Sequence, residues 1–229
     1  MTVKERYIRN IGTLTEEENA RLQSSNVCVI GCGGLGGNII SNLARLGVGR
    51  LTIVDDGTYE PSNLNRQLFS SEKTMDRVKT EVVKERLAEI NSDVEVKAVN
   101  DRLVPANAAD IVRGHDIVID GLDNLETRLV LEDACAECGI PLVHGGIESW
   151  YGQVAFVKPG SRTLHKLFGE DPAKDIKMKT SNPPFTPAIV AGLEVAEAVK
   201  YLTGKKVALS GKVLFIDLLD HSYKVLNFD

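Results

Sequence analysis

From residue 26 onward, short apolar runs alternate with longer stretches in which apolar residues return every three or four positions. "NVCVIG" is almost continuously apolar and ends on glycine, the pattern of a strand buried on both faces. "GGNIISNLARLGVG" has a helical period and closes on glycine, a common helix stop. "RLTIVDD" predicts a second strand. "MDRVKTEVVKERLAEIN" predicts an amphipathic helix with Val78, Val82, Val83, Leu87 and Ile90 along one side. "VEVKAVN" alternates as a strand and "HDIVIDG" is another buried strand. The helix "NLETRLVLEDACAECG" then leads into the strand "PLVHGG". Upstream, Thr15 and Glu18 have the spacing of a capping box, which predicts a short helix from there.

Strands alternating with helices of about 10 to 17 residues imply crossover units. The expected fold is therefore α/β and Rossmann-like, a mainly parallel twisted sheet with helices on both faces. After position 148 the texture changes. "SWYGQVAFVKPG" reads as a strand with no helix directly behind it, and residues 160–185 are polar, with Pro172, Pro183 and Pro184 and little periodicity. "TPAIVAGLEVAEAVKYLTG" predicts a helix, and "KVLFIDLL" with "YKVLNF" a closing antiparallel hairpin. One domain over 1–229 accounts for this: an N-terminal helical arm (1–25), a core of crossover units (26–147) and an antiparallel extension (148–229). The long stretch at 160–185 is expected to be a mobile segment that meets a partner or substrate, with a plain connection as the alternative, since loops of that length are usually functional or disordered.

Composition narrows the classes. A formal net charge of -5 gives no basic face for nucleic acid. No apolar run approaches the roughly 18 residues of a membrane span. The N-terminus "MTVKERYIRN" lacks the apolar core of a signal peptide, so a cytoplasmic protein is expected. Four cysteines in 229 residues do not make a disulfide framework. Cys135 and Cys138 have no second pair to complete a metal site and read as helix packing residues.

The chemistry begins at "GCGGLG", residues 31–36, a G-x-G-x-x-G turn between strand and helix. Its glycines let backbone N–H groups approach a phosphate at the positive end of a helix. Asp55 ends the next strand, 19 residues after Gly36, where an acid can hold ribose hydroxyls. These two features suit a dinucleotide as well as ATP. Beyond Asp55 come Asn63, Asn65, Arg66 and Gln67, and Lys79 near the start of the next helix. Arg66 and Lys79 would be surplus for a dinucleotide but would neutralise a triphosphate. Asp120 and Asp123 in "IDGLDNLETR" leave the fourth strand at the sheet's carboxyl edge, where a carboxylate can hold magnesium against phosphates.

The ordered set "GCGGLG", "IVDD…SNLNRQ", "DRVKTE" and "DGLDN" resembles the adenylation domain of ubiquitin-activating-type enzymes, nearest the MoeB/ThiF/HesA group. "RYIRN" and "PLVHGGI…GQVAFVKPG" extend the likeness. The resemblance implies binding of ATP and Mg2+ and adenylation of the C-terminal glycine carboxylate of a ubiquitin-like sulfur-carrier protein ending in Gly-Gly. It implies that Gly31, Gly33, Gly34, Leu35 and Gly36 form the phosphate loop, that Asp55 holds the ribose, and that Asn63, Arg66 and Lys79 contact phosphates. Asp123 would be the magnesium-linked carboxylate. Arg9 matches an arginine that reaches across a homodimer interface into the neighbouring site.

The chain departs from the pattern in places. It lacks the two Cys-x-x-Cys pairs of zinc-binding relatives, so no zinc is expected, and "DIKMKTSNPPFTP" lacks a crossover cysteine. The chemistry should stop at the adenylate or pass it to a thiol on another protein. Asn10 stands where Gln is usual, and Asp55-Asp56-Gly57 replaces Asp-x-Asp, so Asp56 is expected to be displaced from the site. The competing readings are a non-catalytic nucleotide-binding scaffold and an NAD-dependent oxidoreductase.

Overall fold

A computed structural model describes residues 3–169 and 181–228. The arm carries a 3-10 turn, Glu5–Asn10, and helix α1, Glu16–Ser24, whose N-cap Thr15 forms the expected capping box with Glu18. Then follow β1 (Asn26–Ile30), α2 (Gly34–Leu46), β2 (Arg50–Val54), α3 (Lys79–Ile90), β3 (Glu95–Val99), α4 (Ala108–Val112), β4 (Ile117–Asp120) and α5 (Leu125–Cys138). The chain continues through β5 (Leu142–Glu148), β6 (Tyr151–Val157), α6 (Thr163–Phe168), α7 (Phe185–Thr203), β7 (Lys212–Asp217) and β8 (Ser222–Asn227).

All eight strands form one sheet in the order β3-β2-β1-β4-β5-β6-β7-β8. The pairs from β3 to β5 are parallel, and β6, β7 and β8 add on antiparallel. Alternate side chains of β1 feed two cores. Val27 and Val29 pack with Ile39, Leu43 and Val83 of α2 and α3 and with Val190 and Val195 of α7. Cys28 and Ile30 pack with Val112, Leu131 and Leu164 of α4, α5 and α6. Truncating a core side chain such as Leu43 or Leu131 to alanine typically costs about 2–5 kcal/mol. No helix among the described residues is long and apolar enough to cross a membrane.

Three elements differ from the sequence expectation. Helix α3 starts at Lys79 rather than Met75, because Arg77 and Val78 pair with the preceding turn: Tyr59 N–H donates to Arg77 O at 3.0 Å and Val78 bridges Thr58. The stretch 160–185 contains helix α6, whose first turn is held by a contact no local window reveals. The buried Glu132 carboxylate accepts N–H bonds from Leu164 and His165 at 2.9 and 3.1 Å and faces His165 Nδ1 at 2.6 Å. Residues 170–180 of that stretch lie outside the described residues. Finally, α4 is a single short helix with too few residues to show a period.

The arm is docked. Tyr7 is buried, its hydroxyl takes an N–H bond from Asn91 Nδ2 at 2.8 Å, and Asn10 Nδ2 donates to Leu46 O at 3.2 Å. Asn10 therefore ties the arm to the end of α2 and leaves Arg9 exposed.

Candidate active site

The sheet's strand order reverses between β1 and β4, and a cleft of about 440 Å³ opens there at the carboxyl ends of the strands. At its floor the chain leaves β1 through Gly31, whose φ of 97° favours glycine. A β-carbon on Gly36 would lie 1.9 Å from the Gly31 carbonyl oxygen, so the first turn of α2 can fold back over the loop only as glycine. The α2 N-cap is Gly33 and carries no side-chain cap, which leaves the first-turn amides to an anion.

Asp55 stands beside this loop, its Oδ2 accepting from Cys32 N–H at 2.7 Å and its Oδ1 from Gly57 N–H at 2.8 Å. Lys79 Nζ is 4.0 Å from Asp55 Oδ1, and both side chains are mostly buried. Burial, then the Asp55 charge, pushes the Cys32 thiol well up, so it stays protonated. Arg66 lies across the start of α2: its Cγ is 3.2 Å from where a Gly34 β-carbon would sit, and its Nη1 donates to Ser62 O at 2.9 Å.

Gly31, Gly33, Gly34, Leu35, Asp55, Arg66, Lys79 and Asp123 all line the cleft. Gly36 lies behind the lining, at the crossing. Asn63 is buried away from it, where its Oδ1 accepts from Glu60 N–H at 3.1 Å and shapes the turn that presents Arg66. Arg9 is exposed on the arm and outside this chain's own cleft. Asp56 does line the cleft, contrary to the expected displacement, because the chain turns only at Gly57. The sequence reading also passed over Asp101, Arg102, Arg128 and Asn182. Arg128 sits five residues past Asp123 in "DNLETR", one helical turn into α5, and that spacing could have marked it.

The charge balance decides what else the cleft needs. Four cations (Arg66, Lys79, Arg102, Arg128) face four carboxylates (Asp55, Asp56, Asp101, Asp123). A triphosphate would enter a formally neutral cleft, so a divalent cation is the natural complement. Asp123 is exposed, with one 3.4 Å side-chain contact from Asn124, and is free to share such an ion with phosphates. Among the described residues no group of three or more His, Cys, Asp or Glu is placed to hold a metal ion, and at the cleft Asp123 is the exposed carboxylate nearest the expected role. That donor set fits magnesium held mainly by phosphates.

Below Asp123 lies a buried polar group. Asp120 is fully buried, with Leu122 N–H donating to its Oδ1 at 2.8 Å and His144 Nδ1 lying 2.6 Å from its Oδ2. Gln153 Nε2 is 3.1 Å from His144 Nε2. These contacts are all satisfied by a neutral imidazole that donates from Nδ1 and accepts at Nε2. Burial holds the His144 pKa below its usual value against the pull of Asp120, so the contact is a hydrogen bond and not an ion pair.

Residues 7–229 match the model of the ThiF family. The chain is 36% identical over 232 residues to the SAMP-activating enzyme E1 of Haloferax volcanii, covering 99% of this chain and 86% of that protein. It is 36% identical over 224 residues to the sulfur carrier protein adenylyltransferase of Thermus thermophilus, covering 92% and 81%. The crystal structure of E. coli MccB with ATP shares the fold, with a TM-score of 0.87 at 20% identity over 99% of this chain and 72% of that one. With the glycine loop, Asp55, Arg66, Lys79 and Asp123 gathered at one cleft, this chain belongs to the ThiF family.

Proposed function

We propose that this chain is an ATP-dependent adenylyltransferase that activates the C-terminal glycine carboxylate of a ubiquitin-like sulfur-carrier protein. The observation that carries the reading is the meeting of the glycine loop with Arg66, Lys79 and Asp123 around one cleft at the switch point of the sheet. Relatives at 36% identity are named as a SAMP-activating E1 and a sulfur carrier protein adenylyltransferase.

The reaction joins two anions. A carrier carboxylate oxygen attacks the α-phosphorus, the bond to the β-phosphate oxygen breaks, and pyrophosphate leaves with that electron pair. A carboxylate is already ionised, so no general base is required, and the barrier is largely charge repulsion. The α2 N-terminus and glycine loop cradle phosphates. Arg66 and Lys79 set fixed positive charge where negative charge develops, and Asp55 holds the ribose. Mg2+, held by Asp123 and the phosphates, supplies further charge neutralisation when bound. The four cysteines all lie outside the cleft lining, which supports chemistry that stops at the acyl-adenylate or hands it to a thiol on another protein.

The working unit is a homodimer in the cytoplasm, with Arg9 of each subunit reaching into the other's cleft. Its exposure on a docked arm, away from its own site, supports that role. Zinc has no part in this reading.

The test is ATP–pyrophosphate exchange with small carriers ending in Gly-Gly. Exchange that depends on such a carrier and on magnesium is expected. Tight ATP binding with no exchange for any carrier would favour the scaffold, and NAD binding in preference to ATP the oxidoreductase.

A further inference from the structure

Asp123 is exposed, and among the described residues its one side-chain hydrogen bond is from Asn124 at 3.4 Å, itself the N-cap of α5, accepting from Thr127 N–H at 2.9 Å. Its position must be set by the loop that carries it. That loop is gripped at Leu122 from both sides. Leu122 N–H donates to the buried Asp120, and Leu122 O accepts from Arg128 Nη2 at 2.6 Å. The guanidinium is itself pinned, with Nη2 3.2 Å from Gly145 O and Nε 3.3 Å from Asp120 Oδ2. The Nε contact is an ion pair without hydrogen-bond alignment. Asp120 is oriented in turn by His144. One charged side chain, 13% exposed, thus spans β5, the end of β4 and the loop into α5, and lines the same cleft as the Asp123 carboxylate.

We propose that Arg128 is a positioning residue for Asp123: it clamps the Leu122 carbonyl and so fixes the carboxylate at the place where ATP-bound magnesium is shared. The proposal rests on the reading of Asp123 given above. A planar guanidinium is suited to this, because it serves two carbonyls and a carboxylate at once. A lysine can meet the Asp120 charge but cannot hold both carbonyls in the same geometry. Groups that orient a metal-linked carboxylate typically carry about 10- to 100-fold of metal affinity.

The experiment measures ATP affinity with and without magnesium by calorimetry for the full-length parent, Arg128→Gln, Arg128→Lys, Asp123→Asn and the Arg128→Gln/Asp123→Asn double variant, with amide hydrogen exchange of each ligand-free protein. Either single variant should lose about 10- to 100-fold of the magnesium-dependent gain in ATP affinity. The double variant should lose no more than the worse single one, since both act through one carboxylate. Arg128→Lys should recover most of the thermal stability lost in Arg128→Gln without recovering the magnesium gain.

Additive losses would overturn the proposal and place Arg128 on the nucleotide independently of Asp123. A lysine variant with the full magnesium gain would reduce Arg128 to a structural charge and overturn it equally. If the parent binds ATP no better with magnesium, the reading of Asp123 fails by itself. Hydrogen exchange then decides the clamp: faster exchange confined to residues 121–124 in both Arg128 variants upholds it, and unchanged protection there removes it.

Discussion

The carbonyl oxygen of Gly121 lies 2.4 Å from the point a β-carbon on Gly31 would occupy. The phosphate loop and the loop bearing Asp123 are therefore in backbone contact, and Gly121 N–H donates to Ile30 O at 2.7 Å across the same gap. The two loops pack backbone to backbone, which brings nucleotide cradle and carboxylate onto one floor. Alanine at Gly36, 1.9 Å from the Gly31 carbonyl oxygen, should cost about 1–3 kcal/mol or more in chemical denaturation. Alanine at Gly33 meets only Gln67 Nε2, at 3.8 Å, and should fold normally. It should still weaken ATP binding roughly 10- to 100-fold by holding phosphate off the amides. Equal destabilisation by both would refute this division of roles.

Arg66 and Lys79 separate binding charge from folding. Arg66 is half-buried at the mouth and Lys79 packs beside Asp55. Arg66→Met or Lys79→Met should slow carrier-dependent pyrophosphate exchange by about 10²–10³-fold. The thermal midpoint of Arg66→Met should stay close to the parent's. Arg66→Lys should recover little: Nη1 is held by Ser62 O and Asn65 Oδ1, which leaves the rest of the planar guanidinium for phosphate, and a single ammonium cannot serve both sides at once. Normal exchange in Arg66→Met would remove that residue from the chemistry.

Arg9 offers a complementation test. Arg9→Ala and Asp123→Asn should each be inactive as pure homodimers. Mixed subunits pair the intact cleft of the first with the intact arginine of the second, giving one working site in half of the dimers. Equal mixing should restore about a quarter of parental exchange. No recovery after subunit exchange is verified would place Arg9 in its own cleft, and an active Arg9→Ala homodimer would remove it from the reaction.

What the sequence disclosed follows from range. The strand and helix periods, the glycine turn, Asp55 and Asp123 all sit in windows of a few residues, and the glycine turn, Asp55 and Asp123 line one cleft. The Asp120–His144–Arg128 group joins β4, β5 and α5, so no local pattern announces it. His144 lies in the strand pattern "PLVHGG", which gives no sign that it orients Asp120. Asn63 looked like a phosphate ligand beside Arg66, but a 3-10 turn rotates it inward to bond Glu60 N–H. Helix α6 depends on Glu132, 31 residues before its first residue, Thr163, and could not be read from its own sequence.

His144 should make the fold acid-sensitive. Its folded pKa lies below the ordinary 6.5, chiefly through burial. The unfolded chain therefore takes the proton first as pH falls, so the contribution is whole above about pH 6.5 and declines below it. The slope is at most about 1.4 kcal/mol per pH unit for one proton. His144→Asn, which keeps a donor for Asp120, should reduce that decline in urea denaturation between pH 5 and 6.5. An unchanged slope would mean that another group governs the acid limb.

Glu194 should act in the opposite sense. Its carboxyl on α7 is fully buried against Gly145, where an added β-carbon would lie 2.3 Å from Cδ, and both oxygens lack hydrogen-bond partners. Burial first, then the Asp120 charge, raises its pKa well above 4.5, with Arg128 opposing. The folded state thus keeps a proton that the unfolded chain releases above pH 4.5, and stability falls as pH rises toward the folded value. Between pH 4.5 and 6.5 this loss opposes the gain from His144, and above 6.5 it acts alone. Glu194→Gln preserves the shape and removes the titration, so its stability advantage over the parent should grow with pH. Denaturation at pH 5, 6.5 and 8 measures it. If the advantage is the same at all three values, Glu194 stays in one protonation state in both folded and unfolded chains. If Glu194→Gln is instead least stable at pH 8, the carboxylate is ionised in the fold and pairs with Arg128.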